Sequence, residues 1–188
     1  MTVPQLAFVA FIALTAFVRL GELIVSRRRL REKPAGLVSE PALFPLMVLL
    51  HVGLLTAPVA EVFLLGRPFV PWLAAVAGGV LVLATLLRVW TLRTLGRSWN
   101  VRVVVPDDEA VVTTGPFAFV RHPNYLVVIL EIASLPLLHT AWISALTLSL
   151  LNALVLSRRI LTEEAALSRL PAWREAMAPR KRLIPGVF

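Results

Sequence analysis

No cysteine occurs among the 188 residues, so disulfides, thiolate metal sites and cysteine nucleophiles are excluded. Charge is scarce as well: 16% of residues are Asp, Glu, Lys or Arg, against about a quarter in an average soluble domain. Neither GxGxxG nor GxxxxGK[ST] is present, which removes both common phosphate-cradling loops. HExxH is missing too, and His51, His122 and His139 lie far apart in the chain, so no metal site is expected. The plentiful component is apolar. Hydrophobic residues make up 58% of the chain and the mean hydropathy is +0.82, which is the composition of a membrane protein.

A helix needs about 20 apolar residues to cross about 30 Å of hydrocarbon. The apolar runs predict helices over about 4–25, 41–65 (with a kink near Pro58) and 71–92. A polar interval follows, then two shorter apolar segments over about 124–138 and 140–157. The first of these is too short to cross comfortably, so the pair is expected to form a short helical hairpin. Trp99–Val105 and Ala110–Thr113 are β-branched runs around the turn Pro106-Asp107-Asp108-Glu109, which reads as a small cytosolic β-hairpin. The chain from Arg158 is charged and reads as a C-terminal helix, with prolines at its end. The expected fold is therefore an all-α integral membrane protein with about five transmembrane helices. It forms a single domain over 1–188, with three spans in 1–92.

The first run has no basic residue before it and no small-residue cleavage site after it, and Arg27, Arg28, Arg29, Arg31 and Lys33 follow it. That is the pattern of a retained anchor with its N-terminus outside. Six basic residues fall at 19–33, five at 88–121 and seven at 158–182, leaving Arg67 alone on the opposite side. By the positive-inside rule the C-terminus is cytosolic. The net charge of +8 is thus explained by topology, and nucleic acid is not an expected partner.

Polar residues concentrate at the cytosolic mouth of the last hairpin. Arg121, His122, Asn124 and Tyr125 start it, Glu131 lies about two turns deeper, and Asn152, Arg158, Arg159, Glu163 and Glu164 stand on the return arm. An ionisable group in hydrocarbon is costly unless it is paired or in a wet cavity, so its presence points to function. Each residue also has a plainer reading. Arg121 and Arg158 suit interface anchors, and His122-Pro123 suits a helix start. Glu163 and Glu164 suit first-turn acids, and Arg19 and Glu22, three apart on one helix, suit a structural pair. His51 suits a satisfied polar group, and Trp72, Trp90, Trp99 and Trp142 an interfacial belt. The grouping of so many at one mouth favours a site.

GPFAFVRHPNYL (115–126), then a short hairpin, Asn152 and RILTEEAAL (159–167), resembles the isoprenylcysteine carboxyl methyltransferase family. Its pattern is G-P-[YF]-x-x-x-R-H-P-x-Y followed by R-I-x-x-E-E-x-x-L, and the likeness covers about 95–185. The RHPxY half also resembles NADPH-dependent membrane sterol-type reductases, so such a reductase is the alternative, with a non-catalytic membrane protein behind it. The RIxxEExxL half sharpens the match. The resemblance implies S-adenosylmethionine as cofactor, S-adenosylhomocysteine as product, and transfer to a carboxylate or phenolic oxygen. The acceptor would be lipophilic, prenylated or long-chain, and reached from the membrane. It implies cofactor-binding roles for Arg121, His122, Asn124, Tyr125, Glu131 and Asn152. Catalytic roles fall to Arg159, Glu163 and Glu164, all in the half 93–188. Two features depart from the family. Trp173 stands where its tail often carries tyrosine, and Thr94–Arg102 looks closer to a bacterial branch, some of whose members methylate long-chain phenolic lipids. A bacterial inner membrane is the expected location.

Overall fold

The computed structural model describes residues 1–32, 43–102 and 111–186. Six helices follow one another: α1 (Val3–Glu32), α2 (Leu43–Leu64), α3 (Pro71–Leu95), α4 (Pro123–Ser134), α5 (Trp142–Leu167) and α6 (Pro171–Met177). Four of them, α1, α2, α3 and α5, are long and apolar enough to cross a membrane. The protein is all-α and multi-pass. At 1.5 Å per residue, the 30 residues of α1 reach about 45 Å, longer than the hydrocarbon core. The arginine-rich last turns of α1 therefore extend beyond it. Outer faces present Phe17, Leu64, Trp72, Leu83 and Leu154, all well exposed. Lipid is the solvent for these side chains, and each helix satisfies its own backbone.

Two expectations are corrected. The expected fifth span is a 12-residue helix, α4, continued by a 3₁₀ turn at Pro136–His139, too short to count with the four long ones. The proline after Leu135 cannot donate to the helical ladder, and the chain tightens there. The expected cytosolic β-hairpin is absent: no strand occurs among the described residues, and the only β-type pairing is an isolated bridge between Val120 and Lys181. Its supposed turn and inner arms, 103–110, lie outside the described residues. The outer part has other partners. Val101 N–H donates to Ser26 Oγ at 3.0 Å and Val101 C=O accepts from Arg159 Nη2 at 2.6 Å. Backbone groups committed to side chains of α1 and α5 are not available to a neighbouring strand.

The core lies where α2, α4 and α5 meet, around Leu50, Val62, Val128, Ile132, Leu135 and Leu148. α5 runs on without a break through Arg158 to Leu167, so the charged segment expected as a separate tail helix is its last third. The start of α5 is capped from α2. Glu61, buried, accepts from Ile143 N–H at 3.1 Å and from Ser144 N–H and Oγ at 2.7 Å each. Arg67 Nε donates to the same carboxylate at 2.9 Å, and its guanidinium lies over Trp142. The single basic residue at this end is thus the counter-ion of a helix cap.

Candidate functional site

Gly115 opens the polar stretch with φ +58°, a conformation that glycine enters without strain. A Cβ there would also collide with the Thr94 side chain. This close approach seats the 3₁₀ turn Gly115–Ala118 against the end of α3. Pro123 then starts α4 at its first position, where a missing N–H costs nothing.

Arg121 serves the C-terminal segment. Its Nε donates to Met177 C=O (3.0 Å) and Arg180 C=O (2.8 Å), and Nη2 to Ala178 C=O (2.7 Å). A cation at the carbonyl end of α6 also suits the helix dipole. The backbone joins in: Arg121 N–H donates to Lys181 C=O and His122 N–H to Arg182 C=O, both at 2.9 Å. Arg180 Nη1 donates to Phe117 C=O at 2.5 Å. Residues 177–182 are in this way strapped across the polar stretch.

The two glutamates divide. Neighbours on a helix point about 100° apart, so one cannot share the other's surroundings. Glu164 faces the strap and accepts from Arg121 Nη1 (3.1 Å), His122 Nε2 (3.1 Å) and Arg182 Nη2 (2.8 Å). This carboxylate raises the Arg182 guanidinium above its ordinary pKa. Glu163 shares a face with Arg159, four residues back. It accepts from the Tyr125 hydroxyl, which in turn accepts from Arg159 Nε at 2.8 Å. The His122 ring stacks on Tyr125 with centroids 5.2 Å apart.

A cavity of about 860 Å³ opens beside these groups, within the roughly 300–1,000 Å³ of small-molecule sites. Of the residues expected to form a site, Arg121, His122, Asn124, Tyr125, Arg159 and Glu163 line it. Glu164, Glu131 and Asn152 are not among its walls. Glu131 is paired instead with Arg19 (2.6 Å) and Arg88 (3.2 Å), while Asn152 is buried on α5. Trp173 stands in the wall with Met177, its ring 5.9 Å from the Arg121 guanidinium. At the polar end, Asn124 Oδ1 and Trp99 Nε1 are buried without a hydrogen-bond partner among the described residues. Both atoms belong to residues of the cavity wall, and unpaired polar groups beside a cavity mark a candidate site for a polar ligand. From there the cavity continues between α1 and α2 along Leu20, Leu23, Val48, Val52 and Leu55. From Arg29 to Ala16, both of them walls, α1 follows it for about 20 Å.

Trp99, read from the sequence as part of an interfacial belt, belongs to the site. Arg29 Nη1 holds the loop carrying it, donating to Gly96 C=O (2.8 Å) and Trp99 C=O (3.0 Å), and Ser26 bonds Asn100. Ser26 and Arg29 lie three apart on one face of α1. That spacing was the available signal, and nothing in it named the loop as partner.

The fold and cavity together define a multi-pass membrane protein whose polar, strap-covered mouth leads into an apolar chamber between spanning helices. The sequence model of the isoprenylcysteine carboxyl methyltransferase (ICMT) family matches residues 76–169, the region holding most of α3, all of α4 and α5, and the polar stretch at 115–125. The chain belongs to this family of membrane methyltransferases. An uncharacterized protein, YpbQ, of Bacillus subtilis (strain 168) is 32% identical over 162 residues, 85% of this chain and 96% of that protein.

Proposed function

We propose that the protein methylates a carboxylate or phenolic oxygen of a lipophilic acceptor, using S-adenosylmethionine. One observation carries this reading: a single cavity joins orphaned polar atoms at the mouth, Trp99 Nε1 and Asn124 Oδ1, to an apolar arm inside the membrane half. Those atoms and the aromatic and cationic side chains around them fit a cofactor with adenine, sulfonium and amino-acid ends. Trp173 and Tyr125 offer ring faces to its cationic portion, and Arg121 and His122 favour its carboxylate. When bound, S-adenosylmethionine supplies the methyl group and leaves as S-adenosylhomocysteine.

The chain's own residues then have distinct tasks. Arg159 is fixed by Tyr125 and Val101 C=O, so its planar fork is pre-organised to orient an acceptor oxygen. Holding the acceptor in line is the larger part of such a reaction. A carboxylate acceptor needs no base. A phenol, with a pKa near 10 if it resembles tyrosine, does, and Glu163 on the cavity wall is placed to take its proton. Glu164 acts through the strap, as a positioning residue. The distribution of basic residues supports a cytosolic mouth with the N-terminus outside, and the Bacillus subtilis relative supports a bacterial inner membrane.

Calorimetry on the purified protein with S-adenosylhomocysteine and, separately, NADPH tests this. Binding of the first alone is expected. Binding of NADPH alone would overturn the proposal in favour of a reductase.

A further inference from the structure

The apolar arm of the cavity has a polar wall at mid-depth. Arg19, Glu22, Arg88 and Glu131 form a neutral group of two guanidiniums and two carboxylates that ties α1, α3 and α4 together. Arg19 pairs with Glu22 (2.7 Å) and Glu131 (2.6 Å), and Arg88 with Glu22 (2.8 Å) and Glu131 (3.2 Å). Burying four charged groups carries a desolvation cost that their pairing has to offset. Here Arg19, Glu22 and Arg88 all face the cavity. A guanidinium carries five N–H donors. Arg19 uses Nη1 and Nη2 on carboxylates, which leaves donors over for the chamber.

The α2 wall of the same stretch offers the complement. His51 Nδ1 lies 2.7 Å from Met47 C=O. A carbonyl only accepts, so Nδ1 carries the proton and Nε2 of the neutral ring is an acceptor. His51 is half-buried and lines the cavity. Donors on one side and an acceptor on the other match a hydroxyl, which accepts and donates at one oxygen. Glu131, bound to Arg19, stands six residues beyond Tyr125 on α4, which sets this level about 9 Å below the mouth.

We propose that Arg19, Arg88 and His51 form a second subsite, and that the acceptor carries a chain hydroxyl about 9 Å from the oxygen that is methylated. The proposal rests on the methyl-transfer reading of the mouth and narrows its substrate class. An unfunctionalised alkyl chain laid along this wall offers no acceptor to the remaining Arg19 N–H groups and no donor to His51 Nε2. Sites built this way reject analogues lacking the polar group by up to about 10⁴–10⁵-fold. For a wall only partly exposed, about tenfold is expected.

Binding is measured in lipid nanodiscs, with S-adenosylhomocysteine saturating. The two probes are 4-dodecylphenol and its counterpart hydroxylated on the fourth chain carbon. The hydroxylated phenol is expected to bind wild type about tenfold tighter. His51→Leu should bring the two probes within about twofold of each other, and His51→Gln, which keeps an acceptor, should recover part of the preference. Equal binding to wild type, a preference that survives His51→Leu, or binding of neither phenol while S-adenosylhomocysteine binds would each overturn the subsite alone. Failure of S-adenosylhomocysteine to bind removes the methyl-transfer reading and the subsite with it.

Discussion

Replacing Glu164 with glutamine separates the two adjacent acids and tests the strap. Two guanidiniums and the His122 ring converge on this carboxylate, with side-chain exposures of 3% for His122, 19% for Arg121 and 33% for Arg182. A hydrogen bond to a charged group contributes about 1.5–3 kcal/mol. The Arg182 pair, a third exposed, counts nearer the surface value of at most about 1 kcal/mol. Glutamine keeps one accepting oxygen and turns an amide toward the cations, so the three terms do not vanish together. A net loss of about 2–3 kcal/mol is expected. At 1.36 kcal/mol per decade, this is about 30- to 160-fold in the equilibrium between strapped and released tail. Limited trypsin digestion reads it directly, because Arg180, Lys181 and Arg182 are cleavage sites within the strap. Glu164→Gln should raise the initial cutting rate there by a factor in that range. S-adenosylhomocysteine affinity should fall in parallel, since Trp173 and Met177 are walls of the cavity. If cutting stays at the wild-type rate and affinity changes by less than about threefold, Glu164 does not hold the strap and the assigned division of labour is wrong.

Glu163→Gln should lower kcat on a phenolic acceptor by about 10²-fold or more without raising tail cleavage; wild-type turnover would remove Glu163 from the chemistry. Glu61→Ala strips α5 of its cap and leaves Arg67 unpaired. It should cost about 3–5 kcal/mol, read as a lowered midpoint in thermal unfolding, and an unchanged midpoint would refute the cap. Gly115→Ala should cost about 1–3 kcal/mol by the same measurement. Adding Thr94→Ala should restore part of the loss by removing the collision, and no restoration would mean that backbone strain alone is responsible.

Much of this was legible because the bilayer imposes a length rule that sequence displays openly. The runs behind α1, α2 and α3 could be nothing but spans, and the shortness of the segment around Val127 already marked α4 as different. The polar stretch at 115–125 and the acids at 163–164 stood out because hydrocarbon makes polar residues conspicuous. What stayed hidden was pairing across long separations. Arg19 meets Glu131 across 112 residues and Arg88 meets Glu22 across 66, whereas only the i,i+3 pair Arg19–Glu22 is visible locally. The error at Trp99–Thr113 has the same origin. β-branched residues report a local preference, but Val101 spends its backbone groups on Ser26 and Arg159, which no local pattern encodes. The double glutamate reads as one motif in the sequence, and only the 100° step of α5 divides it between cavity and strap.

The strap also sets an order of assembly. Met177, Lys181 and Arg182 leave the ribosome after α1, α2, α3 and α5. The membrane half can therefore insert and pack around Ile132 and Leu148 while the mouth still lacks the wall that Trp173 and Met177 provide. A newly inserted chain passes through a stage in which its chamber lacks that wall and its Arg121 holds Glu164 but not yet the carbonyls of Met177, Ala178 and Arg180. Completing the mouth is in this way a separate event from packing the spans that precede it.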